Sequence, residues 1–464
     1  MFKTAVNAWV AVCACSLIAS FAAQTNPQAH EDDTTALTAP DASGIVRTVN
    51  INGPIDLNNP FFKPLGTNGR SCSTCHRPAQ GWTITPDSVR RRFQESRGLD
   101  PIFRTNDGSN CAGADVSTLP KRKAAFSMLL NKGLIRVGID VPLGAEFVIE
   151  AVDDPYGCGA PLTAASMYRR VLPSTNLRFL SAVMWDGRES SAATTILEDL
   201  AHQASDATTG HSQASLDLTA QEAADIVAFE SGLFTAQAVD KDAGVLHRAG
   251  ALGGPTALSQ QPFFIGVNDP IGLNPTGAPF DSRAFTLFDA WASPRHDDRY
   301  RARTAIARGQ ELFNTKPITI SRVAGLNNET FANGVTVPAT ITGTCTTCHD
   351  APNAGDHSVK APLNIGLSDA SRRTPDLPLY TLRRLSTGDM VQTTDPGRAM
   401  VTGKWADIGK FKGPILRGLA ARAPYFHNGS AASLKEVVDF YDTRFGIGLT
   451  PREKADLVAF LRAL

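Results

Sequence analysis

The stretches Cys72-Ser73-Thr74-Cys75-His76 and Cys345-Thr346-Thr347-Cys348-His349 decide how the rest of the chain is read. Two thiols three positions apart can each add to one vinyl group of a haem, and the histidine that follows then lies beneath the iron. Zinc needs four ligands in one place, and two motifs this far apart in sequence cannot form a local ribbon or finger. A thioredoxin-like redox pair lacks its strand–helix context here and has no use for the histidine. The expectation is two covalently bound haem c groups. Cys72, Cys75, Cys345 and Cys348 attach them, and His76 and His349 each supply an iron ligand.

Working outward, each motif is followed by a similar segment. Leu218–Phe229 aligns without a gap on Leu449–Phe460, with Leu, Thr, Glu, Ala, Asp, Val, Ala and Phe recurring in place. Both begin with a capping box, Thr219 with Glu222 and Thr450 with Glu453, and an apolar stripe follows each. Met184-Trp185-Asp186-Gly187 also resembles Phe426-His427-Asn428-Gly429, and aligning Leu197 with Leu434 sets Ala204 opposite Tyr441. The predicted fold class is mainly α: two cytochrome c-like haem domains related by duplication, with loop-rich insertions and little β. The first domain is placed at 44–236, with an insertion at 105–161. A Gly/Pro-rich connector covers 237–282, and the second domain covers 283–464. The second is expected to hold an amphipathic helix around Thr304–Phe313 and a hairpin within 315–342.

The chain has 464 residues, with 45 basic and 45 acidic side chains. That balance points to no nucleic-acid or anionic-lipid partner. Beyond the N-terminus no apolar run is long enough to span a bilayer. Lys3, an apolar stretch to about Ile18 and the small residues around Ser20 and Ala22 read as a cleaved signal peptide over 1–23, hence a periplasmic protein. Residues up to about Ser43 read as a disordered lead-in. Of eight cysteines, Cys13 and Cys15 leave with the signal and four belong to the motifs. Cys111 and Cys158 remain, and in an oxidising compartment they are expected to pair and staple the insertion.

Function turns on the other face of each iron. Two axial protein ligands make an electron carrier, whereas one leaves an open site. No histidine occurs between His76 and His202, and alanine cannot ligate, so the first haem is expected to be five-coordinate and reactive. Met128, Met167 and Met184 read as core residues. For the second haem Tyr441 lies on the buried face of its helix, three, four and seven positions after Val438, Val437 and Leu434. Met390, Met400 and His427 are its rivals.

Together the two motifs, Trp185-Asp186-Gly187-Arg188 and Ala423-Pro424-Tyr425-Phe426-His427-Asn428-Gly429 resemble the bacterial dihaem cytochrome c peroxidase and MauG family. The resemblance implies that Tyr441, fourteen positions after His427, is the distal ligand of the C-terminal haem, as tyrosine is in MauG. It implies that Trp185 relays charge between the haems and that Gln203 belongs to the peroxide site. The family glutamate has no clear counterpart, and Asp206 and His211 stand where it would lie. The family calcium site is not carried over, because Arg170 takes the place of its asparagine and Arg422 that of a threonine. The implied activity is reduction of hydrogen peroxide, fed by a small periplasmic donor such as a c-type cytochrome or a cupredoxin. A dihaem oxygenase, a MauG-like protein-modifying oxidase and a plain electron carrier are the alternatives.

Overall fold

The helices that close the two repeats form where their caps direct. The computed structural model describes residues 35–293 and 298–464; the expected signal peptide, with Cys13 and Cys15, lies outside them. Helix Ala220–Gly232 starts at Thr219, whose hydroxyl takes the Glu222 amide at 3.2 Å while the Glu222 carboxylate takes the Thr219 amide at 2.9 Å. Helix Pro451–Arg462 repeats this with Thr450 and Glu453, at 3.2 and 2.8 Å. Each box satisfies backbone donors that a helix start leaves without partners.

The amphipathic helix expected around Thr304–Phe313 runs over Asp298–Thr315 and packs against Pro451–Arg462. Gly309 permits the approach: a Cβ there would fall 2.0 Å from the Asp456 carbonyl oxygen. Beside it Arg308 makes a two-pronged ion pair to Asp456, both contacts 2.7 Å. Around this crossing Phe285, Phe288, Trp291, Phe313 and Phe460 form the largest buried cluster. The described residues make one compact unit.

The expectation of a mainly α chain with little β is corrected. Among the described residues eleven strands in four sheets stand beside ten α-helices, a mixed fold. One antiparallel sheet runs in the order Ala36–Asp41, Gly44–Asn50, Leu233–Asp240, Gly244–Val245. Part of the supposed lead-in is therefore a strand. It turns where the Asp41 carboxylate accepts the amides of Ser43 (2.7 Å) and Gly44 (2.8 Å). Residues 315–342 hold the first strand of the expected hairpin, Ile318–Ser321, paired with Thr340–Gly343.

The insertion supplies the other surprise. The Cys111–Cys158 disulfide forms as expected, with Cα atoms 5.2 Å apart. Leu134–Asp140 pairs with Ala164–Arg170, and Phe147–Asp153 pairs with Leu379–Arg384 from the second half, itself paired with Met390–Thr393. Gly, Pro, Asn and Asp punctuate this region densely enough to read as loop, but Ile135, Val137 and Ile139 alternate at the strand period.

Candidate active site

Each cysteine motif folds as a single 3₁₀ turn, and the two turns are built alike. Thr74 Oγ1 takes the Ser71 amide at 3.0 Å, and Thr347 Oγ1 takes the Thr344 amide at 2.9 Å. The amides of His76 and His349 then bond back to the carbonyls of Cys72 (3.0 Å) and Cys345 (3.1 Å). All four motif cysteines are unpaired. Burial pushes the thiols of Cys72, Cys345 and Cys348 up to about 12, so they are uncharged at neutral pH.

Six residues beyond each histidine a backbone carbonyl fixes its ring. His76 Nδ1 lies 3.1 Å from the Trp82 oxygen and His349 Nδ1 lies 2.7 Å from the Gly355 oxygen. Both acceptors sit at positive φ, 61° and 77°, which turns the chain back on its own histidine. With the Nδ1 proton directed at the carbonyl, the Nε2 lone pair is left available, the arrangement that metal-bound histidines adopt. Burial lowers the basicity of both rings, His76 to about 4, which favours the neutral imidazole that ligation needs. A cavity opens over each motif. Free thiol pairs, oriented imidazoles and the two cavities fit two covalently attached haems.

Opposite His76, the first cavity is lined by Gln203, Ala204, Ala207 and Thr208 from helix Ile196–Gly210 and by His211 just past its end. These positions recur at i, i+1, i+4 and i+5 and so share one face. Asp206 and His202 lie on the neighbouring stripe and point outward. His202 bonds Glu189 at 2.7 Å, and neither His202 nor Asp206 lines the cavity. The assignment of Asp206 to the peroxide site is therefore corrected on helical phase. The register of the repeat also shifts by one. Thr195 caps the first helix and Ser433 caps helix Leu434–Phe445, so Ile196 matches Leu434 and Gln203 matches Tyr441. Burial agrees with the caps: Leu434 is 8% exposed whereas Leu197 is 54% exposed.

The second cavity is lined by His349, Val437, Val438, Tyr441 and His427. The rings of His349 and Tyr441 meet edge-on, centroids 6.4 Å apart. Burial pushes the Tyr441 phenol above its usual range. Met400 is buried in a separate cluster with Phe147 and Leu382, and Met390 is 56% exposed; neither lines this cavity. His427 does, stacked on Phe411 at 3.9 Å. Met184 lines the first cavity, while Met128 and Met167 pack in clusters of their own.

Trp185, Lys412 and Pro414 line both cavities. Trp185 Nε1 donates to the Arg170 carbonyl at 2.8 Å, and the Trp185 carbonyl accepts the Lys412 amide at 2.9 Å. The neighbouring Asp186 is buried against Arg169, which also clasps Asp395 at 2.7 and 2.9 Å. The Arg170 guanidinium donates to four carbonyl oxygens, those of Ile84 (2.6 Å), Lys132 (3.0 Å), Gly133 (3.0 Å) and Arg422 (3.2 Å). A fixed cation thus already occupies that cluster of oxygens.

Three residues at the cavities carry no mark in the sequence. Asp107 sits in an Asn-Asp-Gly turn and meets His211 across the fold. Glu230 closes helix Ala220–Gly232, and burial pushes its carboxyl up to about 7. Burial lowers the Lys412 ammonium to about 8. Each reads locally as a turn or surface residue, and only long-range packing brings it inside.

No protein-family model matches the chain. Among characterised proteins, 136 residues are 38% identical to cytochrome-c peroxidase IdrP2 of Denitromonas iodatirespirans, covering 26% of this chain and 36% of that protein. A further match is 36% identical over 140 residues to cytochrome-c peroxidase IdrP1 of Pseudomonas sp. (strain SCT), with the same coverage. Another is 31% identical over 121 residues to cytochrome c551 peroxidase of Pseudomonas aeruginosa, covering 26% of this chain and 30% of that protein. Over its matched segment the chain is similar to cytochrome-c peroxidases. The chain spans about a third of the length of these peroxidases. A solved structure described as a MauG-like protein associated with microbial copper homeostasis shares 18% identity over 92% of both chains, with a TM-score of 0.39. No described helix is long and apolar enough to cross a membrane.

Proposed function

We propose that the protein is a periplasmic dihaem c-type peroxidase that reduces hydrogen peroxide at the first cavity and takes electrons in through the second. The observation that carries this reading is the contrast at one helix position: Gln203, an amide, lines the first cavity where Tyr441, a phenol, lines the second. Covalently attached haems would supply redox iron, the one on Cys72 and Cys75 open to peroxide and the one on Cys345 and Cys348 closed by His349 and Tyr441.

The chain's own groups then have distinct tasks. His211 takes a proton from bound peroxide and returns it to the departing oxygen, which leaves as water. Gln203 offers its amide as hydrogen-bond donor to the same oxygen. Trp185, shared by both cavities, conducts electrons between them. Lys412, partly buried, and Arg422, buried, are cations lining the first cavity with no described carboxylate hydrogen-bonded to them, suited to the haem propionates. Overall, one peroxide, two protons and two electrons give two waters. The electrons come from a small periplasmic donor such as a c-type cytochrome or cupredoxin.

The parallel turns, caps and histidine-locking carbonyls support two cytochrome c-like domains, 44–236 and 283–464, related by duplication and joined through 237–282. No calcium enters this reading, because the Arg170 guanidinium already serves the carbonyl cluster at Arg422. Stopped-flow mixing of the oxidised protein with peroxide tests the proposal. A fast absorbance change whose rate rises linearly with peroxide is expected. A protein that reacts only after prior reduction contradicts it.

A further inference from the structure

Asp107 reaches the first cavity from the start of the insertion that Cys111 and Cys158 close. Its Oδ2 meets His211 Nδ1 at 2.5 Å, and its Oδ1 pairs with the Arg70 guanidinium. Burial opposes its charge, but the His211 hydrogen bond and Arg70 together hold the carboxyl below its usual range. Arg70 is itself locked by the carbonyls of Pro101 (2.8 Å) and Ile102 (2.7 Å), and the Asp107 carbonyl accepts the Arg136 amide at 2.7 Å. The His211 backbone is clamped too: its carbonyl accepts from Asn68 Nδ2 at 2.8 Å and Asn106 Nδ2 at 3.3 Å. Ring and backbone of one histidine are therefore held by elements far from it in sequence.

We propose that Asp107 is a positioning residue for the acid–base step, holding the His211 proton on Nδ1 so that Nε2 is the acceptor in the cavity. The inference rests on the peroxidase reading. A carboxylate can only accept, so Nδ1 must donate to it; a neutral imidazole then has its lone pair on Nε2. No described residue hydrogen-bonds Nε2, and His211 lines the cavity, so that nitrogen is free to meet an incoming acid. An amide in place of the carboxylate can donate to Nδ1 and so permits the other tautomer, in which Nε2 carries the proton and cannot act as base. The pairing does for this imidazole what the buried aspartate of a hydrolytic triad does for its own. Arg70 supports the arrangement by satisfying the second carboxylate oxygen.

The test uses the haem-loaded protein with Asp107→Asn, Asp107→Glu, His211→Ala and the double variant Asp107→Asn/His211→Ala. Two rates are read: the absorbance change on adding peroxide, and the association of cyanide with the oxidised protein, which also requires a base to take the acid's proton. Asp107→Asn is expected to slow both by about tenfold or more, as loss of a positioned base does. Asp107→Glu restores both substantially, and Asp107→Asn adds nothing once His211 is alanine, since residues acting as one unit are not additive. Unchanged rates in Asp107→Asn, or an equal further loss in the His211→Ala background, overturn the inference. If the unmodified protein fails to react with peroxide, the peroxidase reading falls, while the cyanide arm still decides the role of Asp107.

Discussion

Gln203 stands in the first cavity at the helix position that Tyr441 takes in the second, each eight residues past its N-cap, Thr195 or Ser433. The two helices start with the same device and present the same face to a cavity, yet one delivers an amide and the other a phenol. The amide is a hydrogen-bonding group and a poor iron ligand; a phenolate is a known axial ligand. On the proposed reading, this one difference is what makes the two sites unlike.

Trp185 is the indole that both cavities share. Trp185→Phe is expected to slow electron delivery from an external donor to the first haem while peroxide association at that haem stays unchanged. It also leaves the Arg170 carbonyl without its 2.8 Å donor, at a cost of ~1–3 kcal/mol in denaturant unfolding. Donor-driven turnover and the single-turnover peroxide rate, measured side by side, separate the two effects.

The protein should be indifferent to calcium chelators. Arg170 donates to four carbonyl oxygens that a metal ion would otherwise need. Prolonged treatment with a chelator, followed by desalting, is expected to leave both haem spectra and the turnover rate unchanged. Loss of activity that returns with added calcium counts against this.

Glu230 gives the fold a pH dependence of known sign. Its folded carboxyl is pushed up to about 7 by burial, against 4.5 for the free side chain. The folded state thus keeps a proton that the unfolded state releases. This stability is fully present below pH 4.5, declines across the window, and is lost as pH rises through 7. The size is on the order of 3 kcal/mol. Glu230→Gln should flatten the fall in unfolding free energy between pH 4.5 and 7, measured by denaturant titration at each pH.

Gly309 is the tightest point of the crossing between helices Asp298–Thr315 and Pro451–Arg462. A methyl group there meets the Asp456 backbone oxygen at 2.0 Å, and backbone cannot swing aside as a side chain can. Gly309→Ala is expected to cost ~1–3 kcal/mol despite alanine's better helix propensity. Denaturant unfolding checks it; a stabilised variant contradicts the packing account.

The parts of the molecule legible in the sequence are those set by local chemistry. The two Cys-x-x-Cys-His turns, the Thr219 and Thr450 capping boxes and the Cys111–Cys158 pair are short patterns whose geometry follows from neighbouring residues. The strands were less visible. Phe147–Asp153 finds its partner at Leu379–Arg384, more than two hundred residues away, and nothing local announces it. The repeat register failed by one because matching leucines outweighed matching caps, though Thr195 with Glu198 was a readable box. Asp107 and Glu230 look like ordinary turn and helix-end residues until the fold buries them beside a cavity.

Electron paramagnetic resonance of the oxidised, haem-loaded protein tests the central claim most directly, because it reads both iron environments at once. One open and one closed site predict a high-spin ferric signal together with a low-spin one. Two low-spin signals, with no high-spin component, would show both irons closed and contradict the account.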